Sequence, residues 1–212
     1  MRRFAIFFLA FFAAAAAEVR AGVPQETVVV ISVADQRLGV VRGGKTIEKY
    51  RVSTSKFGLG DRFGSYRTPI GKMAIASKIG GNLVSGAVLK GRRPTGEVLA
   101  PNAPGRDPIV SRIMVLEGCE ERNRNARSRG IYIHGTTEEK RIGKPVSYGC
   151  IRMRSRDVIE LYRIVKVGTR VVIATEKLSA ACKALDARPV MVADSKRERQ
   201  TGALYANSAD SM

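Results

Sequence analysis

The sequence predicts a mainly β domain with a helix near its carboxyl end. Short apolar runs rich in β-branched residues recur from Thr27 onward, and pairs of turn-forming residues separate them. After residue 150 the apolar positions change to helical spacing. With 212 residues and 44% hydrophobic composition, the chain is long enough for one core, so we expect a single domain with appendages.

In the first half, the pattern predicts a β-meander followed by one more strand. The predicted strands are residues 27–32, 37–42, 46–53 and 73–77. Asp35-Gln36 and Gly43-Gly44 supply the turns, and the breaker segment 68–71 introduces the fourth strand. Residues 79–108, rich in Gly, Pro, Asn and Arg, are expected to form a long loop that covers a substrate.

The second half is predicted to contain two strands, a helix, a final strand and a short second helix. Their ranges are 109–116, 131–134, 155–165, 170–174 and 179–185. The first helix is predicted because four apolar residues share one face, Ser155 can cap it and Gly168 can end it. The polar segment 120–129, crowded with arginine and asparagine, is expected to be a solvated loop.

The first 17 residues have the pattern of a signal peptide, because Arg2 and Arg3 precede an apolar run that ends in alanines. A membrane anchor is the alternative, but the run is shorter than the ~20 residues that a spanning helix needs. A twin-arginine signal is a weaker alternative, since no polar motif residues precede the arginine pair. At the other end, the polar stretch 196–200 is expected to be poorly ordered.

The chain is strongly basic, with a formal charge of +18, which raises the question of nucleic acid binding. Aromatic residues make up only 6% of the chain, and no zinc-finger, RNA-binding or helix-turn-helix pattern is visible. We therefore expect no nucleic acid and, for an exported protein, an anionic cell envelope as the partner of this charge. A basic surface that only confers solubility is the alternative; the oligomeric state does not follow from the sequence.

Cysteine and histidine usage narrows the chemistry. An exported chain with three cysteines, Cys119, Cys150 and Cys182, has at least one thiol without a partner, and such a thiol is either incidental or reactive. Whether Cys119 and Cys182 pair depends on a separation that the sequence does not give. A single histidine and no Cys-x-x-Cys motif argue against a metal site, and no cofactor is expected.

His134 and Cys150 have the setting of a catalytic pair. A thiol with a pKa near about 8.5 needs a base or a positive dipole to form thiolate; His134 supplies the base, and a helix start after Cys150 would supply the dipole. Gly149 permits a tight turn that aims backbone N–H groups at an oxyanion, and Arg152 is the arginine nearest the thiol. Taken singly, a strand-end histidine and a buried cysteine would be ordinary structural residues.

These residues resemble the signature of the YkuD family of L,D-transpeptidases, a His-Gly pair followed by Ser-His-Gly-Cys, then Ile or Val and Arg or Asn. Upstream, segments 35–38 and 68–71 are similar to the opening of that family, and the resemblance covers about residues 27–174. It implies a β-sandwich-like catalytic domain at 27–176, between a linker at 18–26 and a C-terminal tail at 177–212.

The resemblance implies that the cysteine attacks a peptidoglycan stem peptide at the carbonyl of its third residue, expels D-alanine and forms a thioester. An acceptor amine then makes a cross-link, whereas water would make the enzyme a carboxypeptidase. The implied roles are base for His134, orienting carbonyl for Gly135, and oxyanion hole for Tyr148, Gly149 and Cys150. The expected substrate contacts are Arg152, Ser147 and Tyr132.

One departure from the family pattern is Tyr148, where the family commonly has histidine. This substitution leaves the nucleophile and the base intact. It puts in doubt any contribution of the side chain at position 148 to proton transfer or to the choice of acceptor. Two other functions remain compatible with the sequence: attachment or release of a wall-linked protein by the same thioester chemistry, and an inactive peptidoglycan-binding module. The resemblance also implies that carbapenems acylate Cys150.

Overall fold

A computed structural model describes residues 25–186, so the expected signal peptide at 1–17, most of the linker and residues 187–212 lie outside the described residues. Within this range one ten-stranded sheet dominates, and two α-helices pack on it. The strands are β1 (Thr27–Ser32), β2 (Arg37–Arg42), β3 (Lys45–Arg51), β4 (Gly71–Ile79), β5 (Ala87–Lys90), β6 (Arg93–Val98), β7 (Ile109–Gly118), β8 (Tyr132–Thr136), β9 (Ile151–Met153) and β10 (Arg170–Ala174). The helices are α1 (Ser155–Ile164) and α2 (Leu178–Asp186). The mainly β prediction is confirmed.

The order of strands in the sheet is β3-β2-β1-β10-β4-β7-β5-β6. The first three strands form the predicted antiparallel meander, and β10 inserts in parallel beside β1. On the free side of β7, β8 pairs antiparallel, and β9 then pairs in parallel with β8. A bridge between Ser53 and Arg152 joins the chain after β3 to β9, so the two ends of the sheet approach each other around the core.

The main core lies on one face of this curved sheet and is capped by α1. Alternation along the strands directs every second side chain to this face, and the core includes Val29, Ile31, Leu38, Ile75, Met114, Ile133, Ile151 and Leu161. Each fully buried Leu or Ile side chain contributes about 1.5–3 kcal/mol. Helix α2 covers part of the other face, where Leu178 and Ala181 pack on β1 and β2. No helix among residues 25–186 is long and apolar enough to cross a membrane.

The expectation of one long irregular loop at 79–108 is wrong, because β5 and β6 form a hairpin within it. The hairpin turns at Gly91 and Arg92, which have φ angles of 56° and 65°. Every residue of β6 is exposed, so the strand shows no apolar alternation, and Gly-Arg is not the usual Asn-Gly signal of such a turn. For these two reasons the sequence pattern did not predict the hairpin.

The expectation that segment 120–129 is a solvated loop holds only in part, because half of its residues are exposed and others pack inward. A 3-10 helix, Glu121–Asn123, places Asn123 in the interior, where its side-chain amide donates to the carbonyls of Ile70 and Lys72 at 2.9 Å each. Ala126 is fully buried and the side chain of Arg129 is only 5% exposed. The segment is a packed connection between β7 and β8.

Candidate active site

The candidate catalytic residues lie on two adjacent strands. In the parallel pair of β8 and β9, Ile133 lies opposite Ile151 and His134 lies opposite Arg152. Because side chains alternate between faces, the two isoleucines enter the core, whereas His134 and Arg152 face the other side. Cys150 immediately precedes β9, and its thiol lies against the chain at the start of β8, next to the carbonyl of Gly130 and the backbone N–H of Tyr132. His134 is in the middle of β8 and not at the strand end that its sequence suggested.

His134 is held in one tautomer and is buried, with 6% of its surface exposed. Its Nδ1 lies 2.9 Å from the carbonyl oxygen of Gly135, which is the contact implied by the family resemblance. Since a carbonyl only accepts, Nδ1 carries the hydrogen and Nε2 keeps its lone pair. Burial lowers the pKa of His134 to about 4; Arg152 acts in the same direction, and the Gly135 hydrogen bond and Asp107 oppose it. At neutral pH the imidazole is therefore uncharged and able to accept a proton.

Cys150 is a partly buried thiol whose Sγ donates to the carbonyl oxygen of Gly130 at 3.3 Å. Burial raises the pKa of Cys150, and this outweighs the opposing effects of the Tyr132 backbone N–H, Arg152 and Arg129. The resting form is therefore the neutral thiol. The expected helix dipole at the thiol is wrong, because β9 separates Cys150 from α1.

Ser147 and Gly149 shape the turn that presents the thiol. Ser147 is fully buried, and its hydroxyl donates to the carbonyl of Cys150 at 2.6 Å and accepts the N–H of Gly149 at 3.2 Å. Ser147, expected to contact substrate, is thus bonded inside the turn, and the Gly149 N–H, expected in the oxyanion hole, is already used. The N–H groups of Tyr148 and Cys150 are the remaining predicted donors.

Glycine is required at position 149 for two reasons. Its φ of +118° lies in the region that side chains avoid. A Cβ there would also lie 3.2 Å from the carbonyl oxygen of Arg67 and 3.2 Å from Cδ1 of Ile131. The chain between β3 and β4, which contains Arg67, therefore presses directly on the turn that carries the thiol.

Arg152 lies at the site, but two carboxylates that the sequence did not indicate balance its charge. It pairs with Asp107 at 2.7 Å and with Glu138 at 3.2 Å, and its side chain is 12% exposed. Asp107 also accepts a hydrogen bond from the hydroxyl of Thr136 and one from the backbone N–H of Thr137 at 3.1 Å. This network ties the chain before β7 to the end of β8, next to His134.

A cleft of about 260 Å³ opens beside Cys150, with aromatic side chains on one wall. Phe63, Tyr66 and Tyr148 line that wall, and residues 128–131 line the other. The rings of Tyr66 and Tyr148 are 5.9 Å apart and meet edge to face. Lys56 Nζ donates to the Tyr148 hydroxyl oxygen at 3.0 Å, and this contact lowers the pKa of Tyr148. The departure at position 148 thus brings a phenol and an ammonium group to the rim of the cleft.

Three further observations complete the comparison with sequence. Tyr132, expected to contact substrate, is half-buried and packs against a small apolar cluster of β7. All three cysteines are free thiols, so the Cys119–Cys182 bridge is not formed in the structure. Within residues 25–186 no group of three or more His, Cys, Asp or Glu side chains is arranged to hold a metal ion.

Sequence reasoning missed Asp107, Arg129 and the aromatic wall. Asp107 and Arg129 have partners that are 29 and 68 residues distant along the chain, so no local pattern marks them. The aromatic wall could have been predicted from the sequence. Two of its residues, Phe63 and Tyr66, fall with Phe57 within ten residues of a chain that has few aromatics.

The domain is mainly β and carries a neutral imidazole on β8 and a thiol immediately before the adjacent strand β9. The model of the YkuD family, described as an L,D-transpeptidase catalytic domain, matches residues 26–173, and the chain belongs to this family. The chain is 28% identical over 156 residues to Bacillus subtilis YqjB, whose name assigns it to the L,D-transpeptidases; the match covers 74% of this chain and 76% of YqjB.

One more relative and one solved structure are also similar to parts of this chain. B. subtilis YkuD, another protein named as an L,D-transpeptidase, is 63% identical over 41 residues, covering 19% of this chain and 25% of YkuD. Among solved structures, an L,D-transpeptidase from Mycobacterium smegmatis is 18% identical with a TM-score of 0.47. That match covers 71% of this chain and 59% of the mycobacterial chain.

Proposed function

We propose that this protein is a peptidoglycan L,D-transpeptidase that cross-links stem peptides through a thioester on Cys150. The observation that carries the proposal is that the neutral His134 lies on β8 and Cys150 immediately precedes the neighbouring strand β9, in a domain of the YkuD family. Membership in that family supports the reaction, and the geometry supports the choice of residues.

In the first step, Nε2 of His134 takes the proton of the Cys150 thiol as sulfur attacks the carbonyl of the third stem residue. A raised thiol pKa and an uncharged imidazole suit a proton transfer that accompanies attack rather than a thiolate formed in advance. Gly135 keeps the second ring nitrogen protonated and so holds Nε2 free to accept.

The tetrahedral intermediate carries a negative oxygen, for which the backbone N–H groups of Tyr148 and Cys150 are the proposed donors. Ser147 holds this turn closed, and Gly149 gives it the conformation it needs. The intermediate then collapses: the bond to the terminal D-alanine breaks, the amine leaves with the proton from the imidazolium, and a thioester remains.

In the second step, an acceptor amine on another stem peptide attacks the thioester and transfers a proton to His134. The new amide bond is the cross-link, and the Cys150 thiol is regenerated with the returned proton. Lys56 and Tyr148 stand at the rim of the cleft, where an incoming acceptor would pass. With water as the acceptor the same residues would act as a carboxypeptidase.

The proposed site of action is outside the cytoplasmic membrane, in the periplasm or the wall space. The signal-like pattern of residues 1–17 and the net charge of +18, which suits an anionic envelope, support this location. Because peptidoglycan lies outside the membrane, the location and the substrate support each other.

The proposal is tested by incubating the purified protein with peptidoglycan and analysing the digested products for new cross-links and for released D-alanine. The parent should give both, Cys150→Ala should give neither, and Cys119→Ala should match the parent because Cys119 does not line the cleft. Release of D-alanine without cross-links would assign a carboxypeptidase. Equal inactivity of the parent and Cys150→Ala would favour a peptidoglycan-binding module.

A further inference from the structure

The connection between β3 and β4 forms the aromatic wall of the cleft and presses on the nucleophile turn. Phe63 and Tyr66 project from it and are 60% and 57% exposed. Tyr66 has a φ of +55°, which is unfavourable for a bulky side chain, so the surrounding contacts hold it there. This segment, the wall loop (residues 58–67), is held against the rest of the site by contacts from outside it.

The guanidinium group of Arg129 makes four contacts with the wall loop. Its Nη1 donates to the carbonyl of Gly60 and to the carboxylate of Asp61, both at 3.0 Å. Its Nη2 donates to the carbonyl of Arg67 at 2.7 Å and reaches the hydroxyl of Ser65 at 3.4 Å. One side chain thus binds both ends of the loop.

The Arg129–Asp61 ion pair is almost entirely buried, since the two side chains are 5% and 7% exposed. Burial of two charges carries a large desolvation cost, so such a pair contributes little net stability. The guanidinium group of Arg129 is planar and its N–H donors have fixed directions, so it fixes the positions of its partners in a way that lysine cannot reproduce. The pair is thus suited to fixing a position.

The segment that carries Arg129 also touches the thiol. Gly130, the next residue, provides the carbonyl that accepts the hydrogen bond of Cys150. Four residues before Arg129, the backbone N–H of Asn125 donates to Asp61 at 2.7 Å, which adds a second tie to the wall loop. The same short stretch of chain, residues 125–130, is therefore hydrogen-bonded both to the thiol and to the wall loop.

We infer that Arg129 is a positioning residue that sets the width of the substrate cleft by holding the wall loop at a fixed distance from Cys150. This inference rests on the proposed function for the identity of the substrate, but the position of the loop is testable without it. Loss of the fork releases Phe63 and Tyr66 from the cleft while His134 and Cys150, on β8 and before β9, stay in place.

The test uses Arg129→Lys and Arg129→Gln, with Arg127→Gln as the matched control. Arg127 lies on the same segment and pairs with Glu117 at 2.9 Å, but its side chain is 65% exposed and does not contact the wall loop. Arg129→Lys keeps the positive charge that lowers the thiol pKa and removes the fork. It therefore separates an effect of charge from an effect of position.

Limited trypsin digestion reports on the loop directly, because Arg62 is exposed on it. Cleavage after Arg62 should be at least about tenfold faster in Arg129→Lys than in the parent and unchanged in Arg127→Gln. Iodoacetamide reacts with Cys150 without needing the aromatic wall of the cleft. Its rate of alkylation in Arg129→Lys should therefore stay within about threefold of the rate in the parent. A variant that had simply unfolded would instead expose all three thiols equally.

With the stem peptide as substrate, kcat/KM of Arg129→Lys should fall about 10- to 100-fold, mainly through KM, because the chemical groups remain in place. Full activity and unchanged cleavage at Arg62 in Arg129→Lys would overturn the inference. A fall in kcat alone with normal KM would also overturn it, because the effect of Arg129 would then be on the chemical step and not on the width of the cleft. If the parent shows no transpeptidation, the digestion and alkylation results still decide the role of Arg129, and only the proposed function fails.

Discussion

His134 and Arg152 face each other across the parallel strands β8 and β9, and this pairing couples the base to an ion-pair network. Arg152 places a positive charge beside the imidazole, and Asp107, which Arg152 binds at 2.7 Å, places a negative one there. The protonation of His134 therefore depends on a balance between two charges that are themselves partners.

Replacement of Arg152 by alanine should raise the pKa of His134, because the charge that lowers it is removed while that of Asp107 stays. The chain has one histidine, so its ring resonances can be followed by NMR titration without assignment. Arg156→Ala, at an exposed arginine on α1, is the control and should leave the pKa unchanged. A lower pKa in Arg152→Ala would contradict this account.

The burial of His134 also predicts how stability depends on pH. Its pKa is about 4 in the folded protein and near the ordinary value of 6.5 when unfolded, so between these values the unfolded chain binds a proton that the folded chain does not. Stability from this group is therefore lost as the pH falls from about 6.5 to about 4, by about 3 kcal/mol in total. Urea unfolding of the parent and His134→Gln between pH 7 and 4 measures this contribution as the difference between their free energies of unfolding. If the two free energies changed in parallel with pH, this contribution of His134 would be excluded.

The raised pKa of Cys150 predicts slow alkylation at neutral pH. In a Cys119→Ala, Cys182→Ala background, the rate of reaction with iodoacetamide should keep rising through pH 9 without a plateau near neutrality. A thiolate already paired with imidazolium would react at a constant rate from about pH 6 upward. Such a plateau would replace the proposed concerted proton transfer with a preformed ion pair.

Gly149→Ala should damage both the turn and the reaction. A left-handed φ costs about 1–2 kcal/mol for alanine, and the contacts at 3.2 Å with Arg67 and Ile131 add to it. We expect kcat/KM to fall about 100-fold or more because the oxyanion donors move. Gly91→Ala is the matched control: its φ is +56° with nothing within 4 Å, so stability alone should fall, by about 1 kcal/mol. Equal activity loss in both variants would point to general destabilisation.

A carbapenem should acylate the protein once, at Cys150, since a strained ring carbonyl can form the same thioester as a stem peptide. Intact-mass measurement with peptide mapping should find one adduct in the parent and none in Cys150→Ala. In His134→Ala the adduct should form much more slowly, because no imidazole is present to take the thiol proton as sulfur attacks. An adduct that persists unchanged in Cys150→Ala would refute the assignment of the nucleophile.

Local patterns predicted the parts of the fold that local forces determine. The meander of β1 to β3 follows from alternation and turn residues, and Val158 and Leu161 predicted the buried face of α1. His134 and Cys150 were predicted as site residues because histidine is unique in the chain and the residues around the cysteine resemble a known signature.

The parts that sequence missed depend on distant partners or on exposed strands. The buried pair of Arg129 and Asp61 joins residues 68 positions apart, and nothing near Arg129 distinguishes it from the other arginines of its segment. The hairpin of β5 and β6 lacks alternation because β6 faces solvent on both sides. The helix dipole at Cys150 was wrongly expected because the three-residue strand β9 is too short to show a pattern of its own.

The place of β10 in the sheet has a consequence for biosynthesis. β10 lies between β1 and β4, so the centre of the sheet is completed by the last strand of residues 25–186 to leave the ribosome. Until residues 170–174 are available, β1 and β4 lack the neighbour that joins them, and pairing over such a long separation is slow. We therefore expect a nascent chain of this kind to stay open until β10 has been synthesised.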